Sequence, residues 1–91
     1  MNDQVEHVVF RVNANNVPYV ITKPLHHSQQ EISRSEDGSV LFSIDVIPNF
    51  ELERDVLGFG EGLTVISPKH LAEKLQQRLR DSLQQYENAE E

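Results

Sequence analysis

Glu36-Asp37-Gly38 stands between two stretches of extended character, residues 29–35 and 39–47. Asp-Gly in that setting is the strongest short-range hairpin signal, because glycine takes positive φ at no steric cost. The two flanks must then run antiparallel as neighbours, and the rest of the chain has to be arranged around them. In the second flank Val40, Phe42, Ile44 and Val46 alternate with Leu41, Ser43, Asp45 and Ile47, whereas the first offers only Ile32 as a firmly apolar position. The alternation predicts a central strand paired with an edge strand.

A first strand precedes this pair, with Val8, Phe10 and Val12 alternating against His7, Val9 and Arg11. Asn13-Ala14-Asn15-Asn16 then leads into a short helix that ends near Lys23, with Val17, Val20 and Ile21 on one face and Pro18 in its first turn. Its β-branched residues give it little intrinsic helicity, so packing must hold it. After the hairpin, Asn49 caps a second helix over residues 50–57, whose buried stripe is Leu52, Val56 and either Phe50 or Leu57. Gly58, Gly60 and Gly62 end it, and residues 63–66 form a short fourth strand. Ser67-Pro68 reads as an N-cap followed by proline at the first helical position. The last helix runs from Pro68 to about Tyr86 with a stripe of Leu71, Ala72, Leu75, Leu79, Leu83 and Tyr86.

The order β-α-β-β-α-β plus a terminal helix predicts an α+β, ferredoxin-like sandwich with an antiparallel sheet in the order 4-1-3-2. Residues 1–4 read as linker, 5–87 as a single domain and 88–91 as a frayed tail. Ninety-one residues leave no room for a second domain and only a thin core.

Eight Lys and Arg against fifteen Asp and Glu give a net charge of −7, which argues against nonspecific grip on a phosphate backbone. The chain has no cysteine, hence no disulfide framework or thiolate metal site, which fits a reducing cytoplasmic setting. No apolar run is long enough to span a bilayer, so no membrane partner is expected.

Val9-Phe10-Arg11-Val12, Pro18-Tyr19-Val20, His26-His27-Ser28-Gln29, the Asp37-Gly38 turn, Glu51-Leu52, Leu57-Gly58-Phe59-Gly60, Val65-Ile66-Ser67-Pro68, Leu71 and the closing helix with Tyr86 form an ordered set. Together these segments resemble the C-terminal extension, WCX, of bacterial WYL-domain transcriptional regulators. The family more often has His-Pro-Ser where this chain has His26-His27-Ser28. The resemblance implies a non-catalytic regulatory domain, the C-terminal fragment of a longer regulator, concerned with dimerisation and signal relay. Its expected partners are a WYL domain of the same or a second subunit, a second copy in a homodimer of the full-length protein, and promoter DNA only through an absent helix-turn-helix domain. No cofactor is implied.

Helices on one side of a sheet leave the other side open. There the alternation places His7, Val9 and Arg11 beside Leu41, Ser43, Asp45 and Ile47, with Thr64 and Ile66 at one edge. Arg11, Ser43, Asp45 and His7 are the candidate contact residues. Two readings of Arg11 stand: a surface bridge to Asp45 or a nearby Glu, or recognition of an anionic ligand or partner domain by its guanidinium. A ligand-sensing domain for a small anionic metabolite, a nucleotide or single-stranded nucleic acid on that face is the alternative function. An RNA-recognition motif is disfavoured, since Phe10 and Phe42 fall on the core side.

His26, His27 and Gln29 form a possible secondary contact between the first helix and the second strand. Adjacent residues of an extended segment point opposite ways, so one zinc ion would rarely take both histidines, and no metal site is expected. One imidazole is expected to cap a backbone carbonyl or pack on Tyr19, with Ser28 and Gln29 satisfying the turn. His70 reads as a surface residue. The Gly58–Gly62 stretch is not a phosphate cradle, because it follows a helix and precedes a strand. Gly58 is expected as a left-handed C-cap with Phe59 anchored beneath the next turn. No nucleophile-elbow or acid-base constellation appears, so no catalysis is expected.

Overall fold

The computed structural model describes residues 4–89. In chain order it holds β1 (Glu6–Val12), α1 (Val17–Thr22), β2 (Gln30–Arg34), β3 (Val40–Val46), α2 (Phe50–Gly58), a 3₁₀ turn (Gly60–Gly62), β4 (Leu63–Ser67) and α3 (Lys69–Ala89). The strands form one four-stranded sheet in the order β2-β3-β1-β4, antiparallel throughout. This is an α+β fold with the strand order and terminal helix expected from the sequence.

Alternation explains the core. Val8, Phe10 and Val12 of β1, Val40, Phe42, Ile44 and Val46 of β3, and Leu63 and Val65 of β4 point to one face and meet Val17 and Val20 of α1, Leu52 and Val56 of α2, and Leu71 and Leu75 of α3 in a single cluster. Phe10 and Phe42 are register partners with rings stacked at 5.7 Å. Strand β2 buries no side chain, as befits an edge, and its register slips between Glu31 and Ser33, which leaves Ile32 half-exposed. The turn before β3 closes through Gly38 N–H donating to the Ser35 carbonyl and Ser35 N–H to that of Ser39, with Gly38 at φ 88°.

Local chemistry differs from expectation in several places. Asn16 precedes α1 without a side-chain cap; Asn13 Oδ1 instead accepts from both the backbone N–H and the side-chain amide of Asn16. Ile21 faces outward, since a helix this short buries only Val17 and Val20. Gly58 stays helical, and the left-handed residue is Gly60, which turns the chain toward β4. Phe59 does pack against the core. The Ser67-Pro68 peptide is cis and α3 starts at Lys69, so Pro68 precedes the helix.

Helix α2 buries Leu52, Val56 and, unexpectedly, Glu53, while Phe50 stands in solvent beneath the Arg78 guanidinium, 5.2 Å from its ring centre. Lys74 and Arg78 of α3 reach Glu53 at 2.8 and 3.2 Å. Of the expected α3 stripe only Leu71 and Leu75 are buried, and Ala72 is half-buried. The helix reaches Ala89, past Tyr86, so the expected frayed tail is helical at Asn88 and Ala89. Residues 1–3 of the expected linker and 90–91 of the expected tail lie outside the described residues.

Candidate functional site: the uncovered sheet face

The face of the sheet turned away from the helices is built by the residues that alternate with the core. Register places His7 opposite Asp45, Val9 opposite Ser43, and Arg11 opposite Leu41. On the outer side of β3, Gln30 pairs with Ser43 and Ser33 with Leu41, while on the far side of β1 Thr64 pairs with Arg11. The middle of this face is apolar and half-buried at Val9 and Leu41, with Ile66 and Ile47 exposed toward its margins.

Four candidate contact residues fall here, and they are not equivalent. Ser43 is only 5% exposed. A short side chain on a central strand, flanked in register by Val9 and Gln30, sinks into the pleat, so Ser43 is not an accessible contact residue. Asp45 does not pair with Arg11. Its carboxylate Oδ1 lies 2.8 Å from His7 Nδ1, its register partner, and both side chains are more than half exposed. Such a pair contributes about 0–1 kcal/mol. Arg11 sits further along β1, where its charge reaches Asp37 in the hairpin turn. The Asp37 carboxyl lies below the ordinary carboxylate range, first because Ser39 Oγ–H and N–H both donate to Oδ1, at 2.6 and 2.9 Å, and to a lesser degree because Arg11 is near.

The secondary group lies at the end of the sheet near His7. His26 and His27 do not diverge; their rings lie 4.0 Å apart, centre to centre. His26 Nδ1 neither caps a carbonyl nor meets Tyr19. It accepts from the Ser28 N–H at 3.1 Å and touches Ser28 Oγ at 2.7 Å. The same hydroxyl accepts from the Asp45 N–H at 2.8 Å, so Ser28 ties this loop to the end of β3. Gln29 is wholly occupied by backbone: its amide donates to the Val20 carbonyl and its oxygen accepts from the Leu25 N–H, both at 3.0 Å. It therefore closes the turn, as expected. His26 and His27 border a cleft of about 580 Å³ with Leu25, Leu52 and the acidic Asp45, Glu51 and Asp55. Among the described residues no group of His, Cys, Asp or Glu has the arrangement of a metal site. His70 lies at the surface but is not alone, since its Nε2 meets the Glu6 carboxylate.

The sequence reading missed Glu53. Lys74 and Arg78, spaced to share one face of α3, were the available signal, because a buried carboxylate needs cations that can reach it together.

These features define a small α+β domain with helices on one face of an antiparallel sheet and a second, mixed face, apolar in its middle, left uncovered. The chain belongs to the WCX domain family, whose model matches residues 4–83. This is a family of regulator-associated domains rather than of enzymes. No curated protein matches the chain. No helix among the described residues is long and apolar enough to cross a membrane.

Proposed function

We propose that this chain is a non-catalytic protein-contact module of a WYL-type transcription regulator, with a ferredoxin-like βαββαβ layout, that takes part in dimerisation and signal relay. The observation that carries this reading is the uncovered sheet face, where half-buried Val9 and Leu41 are bordered by exposed Ile66, Thr64 and Arg11. A surface with an apolar middle and a polar border suits another folded domain, and the WYL domain of the same or a second subunit is the expected partner. Family membership supports the regulatory setting. In this reading promoter DNA is contacted by a separate domain, because a chain of net charge −7 has little to offer a phosphate backbone.

The ligand-sensing alternative draws less support from the same face. Ser43 is withdrawn and His7 is engaged by Asp45. The test is an amide NMR titration of the labelled chain with a purified WYL domain, and separately with anionic metabolites and short single-stranded oligonucleotides. Saturable shifts at Val9, Arg11, Leu41, Thr64 and Ile66 on adding the WYL domain are the expected outcome. Silence with that domain, together with saturable shifts around Arg11 on adding a metabolite or oligonucleotide, would replace the contact module by a sensor.

A further inference from the structure

The two outer strands of the sheet are finished differently. β2 is exposed along its whole length and carries Glu31 and Arg34, bridged at 3.0 Å, and charge on an edge discourages a further strand. β4 carries no charge, and its Thr64, Val65 and Ile66 are all β-branched. The slip in its pairing with β1 falls at Ile66, between the Phe10–Val65 and Val9–Ser67 pairs, and leaves Leu63 to Val65 in regular register. Among the described residues β1 is the only strand beside β4, and no backbone-to-backbone hydrogen bond beyond that ladder reaches residues 63–66. Alternate residues of an edge strand turn N–H and C=O outward, so the outer side of β4 presents donors and acceptors that the sheet leaves unpaired.

Along that side lies an apolar cleft of about 190 Å³, between β4, α2 and α3. Leu63 and Val65 form one wall and Leu75 and Leu79 of α3 another, while no residue of β1 takes part, which puts the cleft on the outer side of β4. Thr64 lines it too, although its side chain belongs to the opposite face of the sheet, so the cleft reaches the edge of the strand. A volume of this order holds one benzene-sized group. Glu61 lines the same cleft just before β4 begins, exposed and in no ion pair among the described residues. A row of edge groups, an apolar recess beside it and an unpaired carboxylate at its beginning describe one kind of occupant. It is extended chain, which meets the edge with its own backbone, fills the recess with an apolar side chain and answers Glu61 with a lysine or arginine.

We infer that the outer edge of β4 takes up an extended segment of a partner protein as a fifth strand, antiparallel to β4, with apolar side chains toward the cleft and a basic residue opposite Glu61. The antiparallel sense follows the rest of the sheet and is the more stable pairing. This edge is distinct from the uncovered sheet face, and the inference does not rest on the reading given for that face. So short a strand binds weakly, with an expected Kd of about 0.1–1 mM.

The probe is a capped peptide, Thr-Thr-Val-Thr-Leu-Thr-Lys. Laid antiparallel on β4, it sets its valine opposite Val65, its leucine opposite Leu63 and its lysine opposite Glu61. Amide NMR of the labelled chain, titrated to about 2 mM peptide, is expected to show saturable shifts at Thr64, Val65 and Leu79 and none along β2. N-methylation of the peptide at alternate amides tests the ladder. One of the two alternating sets faces β4, and methylating it is expected to weaken binding at least about 10-fold, whereas methylating the other leaves affinity within about 2-fold. Glu61→Lys, at an exposed position, is expected to weaken binding roughly 2- to 5-fold, and exchanging the peptide's lysine for glutamate to restore it. No shift at about 2 mM, shifts confined to β2 or the sheet face, an equal response to the two methylated sets, or indifference to the charge at Glu61 would overturn the inference. Shifts along β4 that grow with the concentration of the chain alone and ignore the peptide would assign this edge to a second copy, and would overturn it as well.

Discussion

The Glu53 carboxylate, 5% exposed at residue level, lies between two cations of the neighbouring helix: Lys74 Nζ at 2.8 Å from Oε2 and Arg78 Nη1 at 3.2 Å from Oε1. A charge so placed costs desolvation that its partners must offset. Arg78, only a third exposed and stacked over Phe50, is the better ordered of the two; Lys74 is mostly in water. Glu53→Ala is expected to destabilise the domain by about 2–3 kcal/mol, Arg78→Ala by about 1–2 kcal/mol and Lys74→Ala by less than about 1 kcal/mol. Urea unfolding of the three variants checks this order, and equal losses for Lys74 and Arg78 would contradict it.

Phe42, 3% exposed and stacked on Phe10, occupies the middle of the core. Phe42→Ala is expected to cost about 3–5 kcal/mol. Ile32→Ala, at the bulge of the edge strand, is expected to cost under about 1 kcal/mol. A loss below about 1 kcal/mol at Phe42 would mean that the buried face of β3 is not the one described.

Gly38 combines φ 88° with a close neighbour: a Cβ there would stand 2.9 Å from Ala14 Cβ. Gly38→Ala is therefore strained twice, by backbone and by contact, with an expected loss of about 2 kcal/mol. Repeating the substitution in an Ala14→Gly background removes the contact and leaves the backbone strain, so part of the loss should return. Full recovery would show that the backbone contributes nothing.

Asp37 supplies a pH signature. Its carboxyl is held below the ordinary value in the folded chain, mainly by the Ser39 hydroxyl and N–H, so ionised Asp37 favours folding above the unfolded pKa of about 3.9. That contribution is lost as pH falls through the folded value. The Asp37 side-chain carbon resonance should titrate below the ordinary aspartate range. Ser39→Ala should move the midpoint up toward the ordinary range, and an unmoved midpoint would remove Ser39 as the cause.

Much of this architecture was legible because its signals are local. Alternation at Val8, Phe10 and Val12 and at Val40, Phe42, Ile44 and Val46 assigns the buried face, and Asp37-Gly38 pairs the strands around it. What alternation cannot express is crowding within a face, and so Ser43 was expected as a contact although it is sunk between its neighbours. Nor does it express register: Asp45 belongs to His7 because those residues are directly opposite, which places Arg11 four pairs away, opposite Leu41. The rings of His26 and His27 come together because that segment is a turn held by Ser28, where the rule for extended chain does not apply. The α3 stripe was read as wholly buried since periodicity marks a face without saying how far the sheet extends beneath it. A strand of 7 residues spans about 23 Å, whereas a helix of 21 runs about 31 Å.

That mismatch has a mechanical side. The root of α3 is held to the sheet by Leu71 and Leu75 and to α2 by the double grip on Glu53, so it leaves the domain on a set bearing. Beyond Leu79 the helix is a rod of about 15 Å, and tilting such a rod by about 5° at its root displaces the far end by about 1 Å. A tilt of the root would therefore be smallest at Leu71 and Leu75 and largest at the outer end, beyond Tyr86.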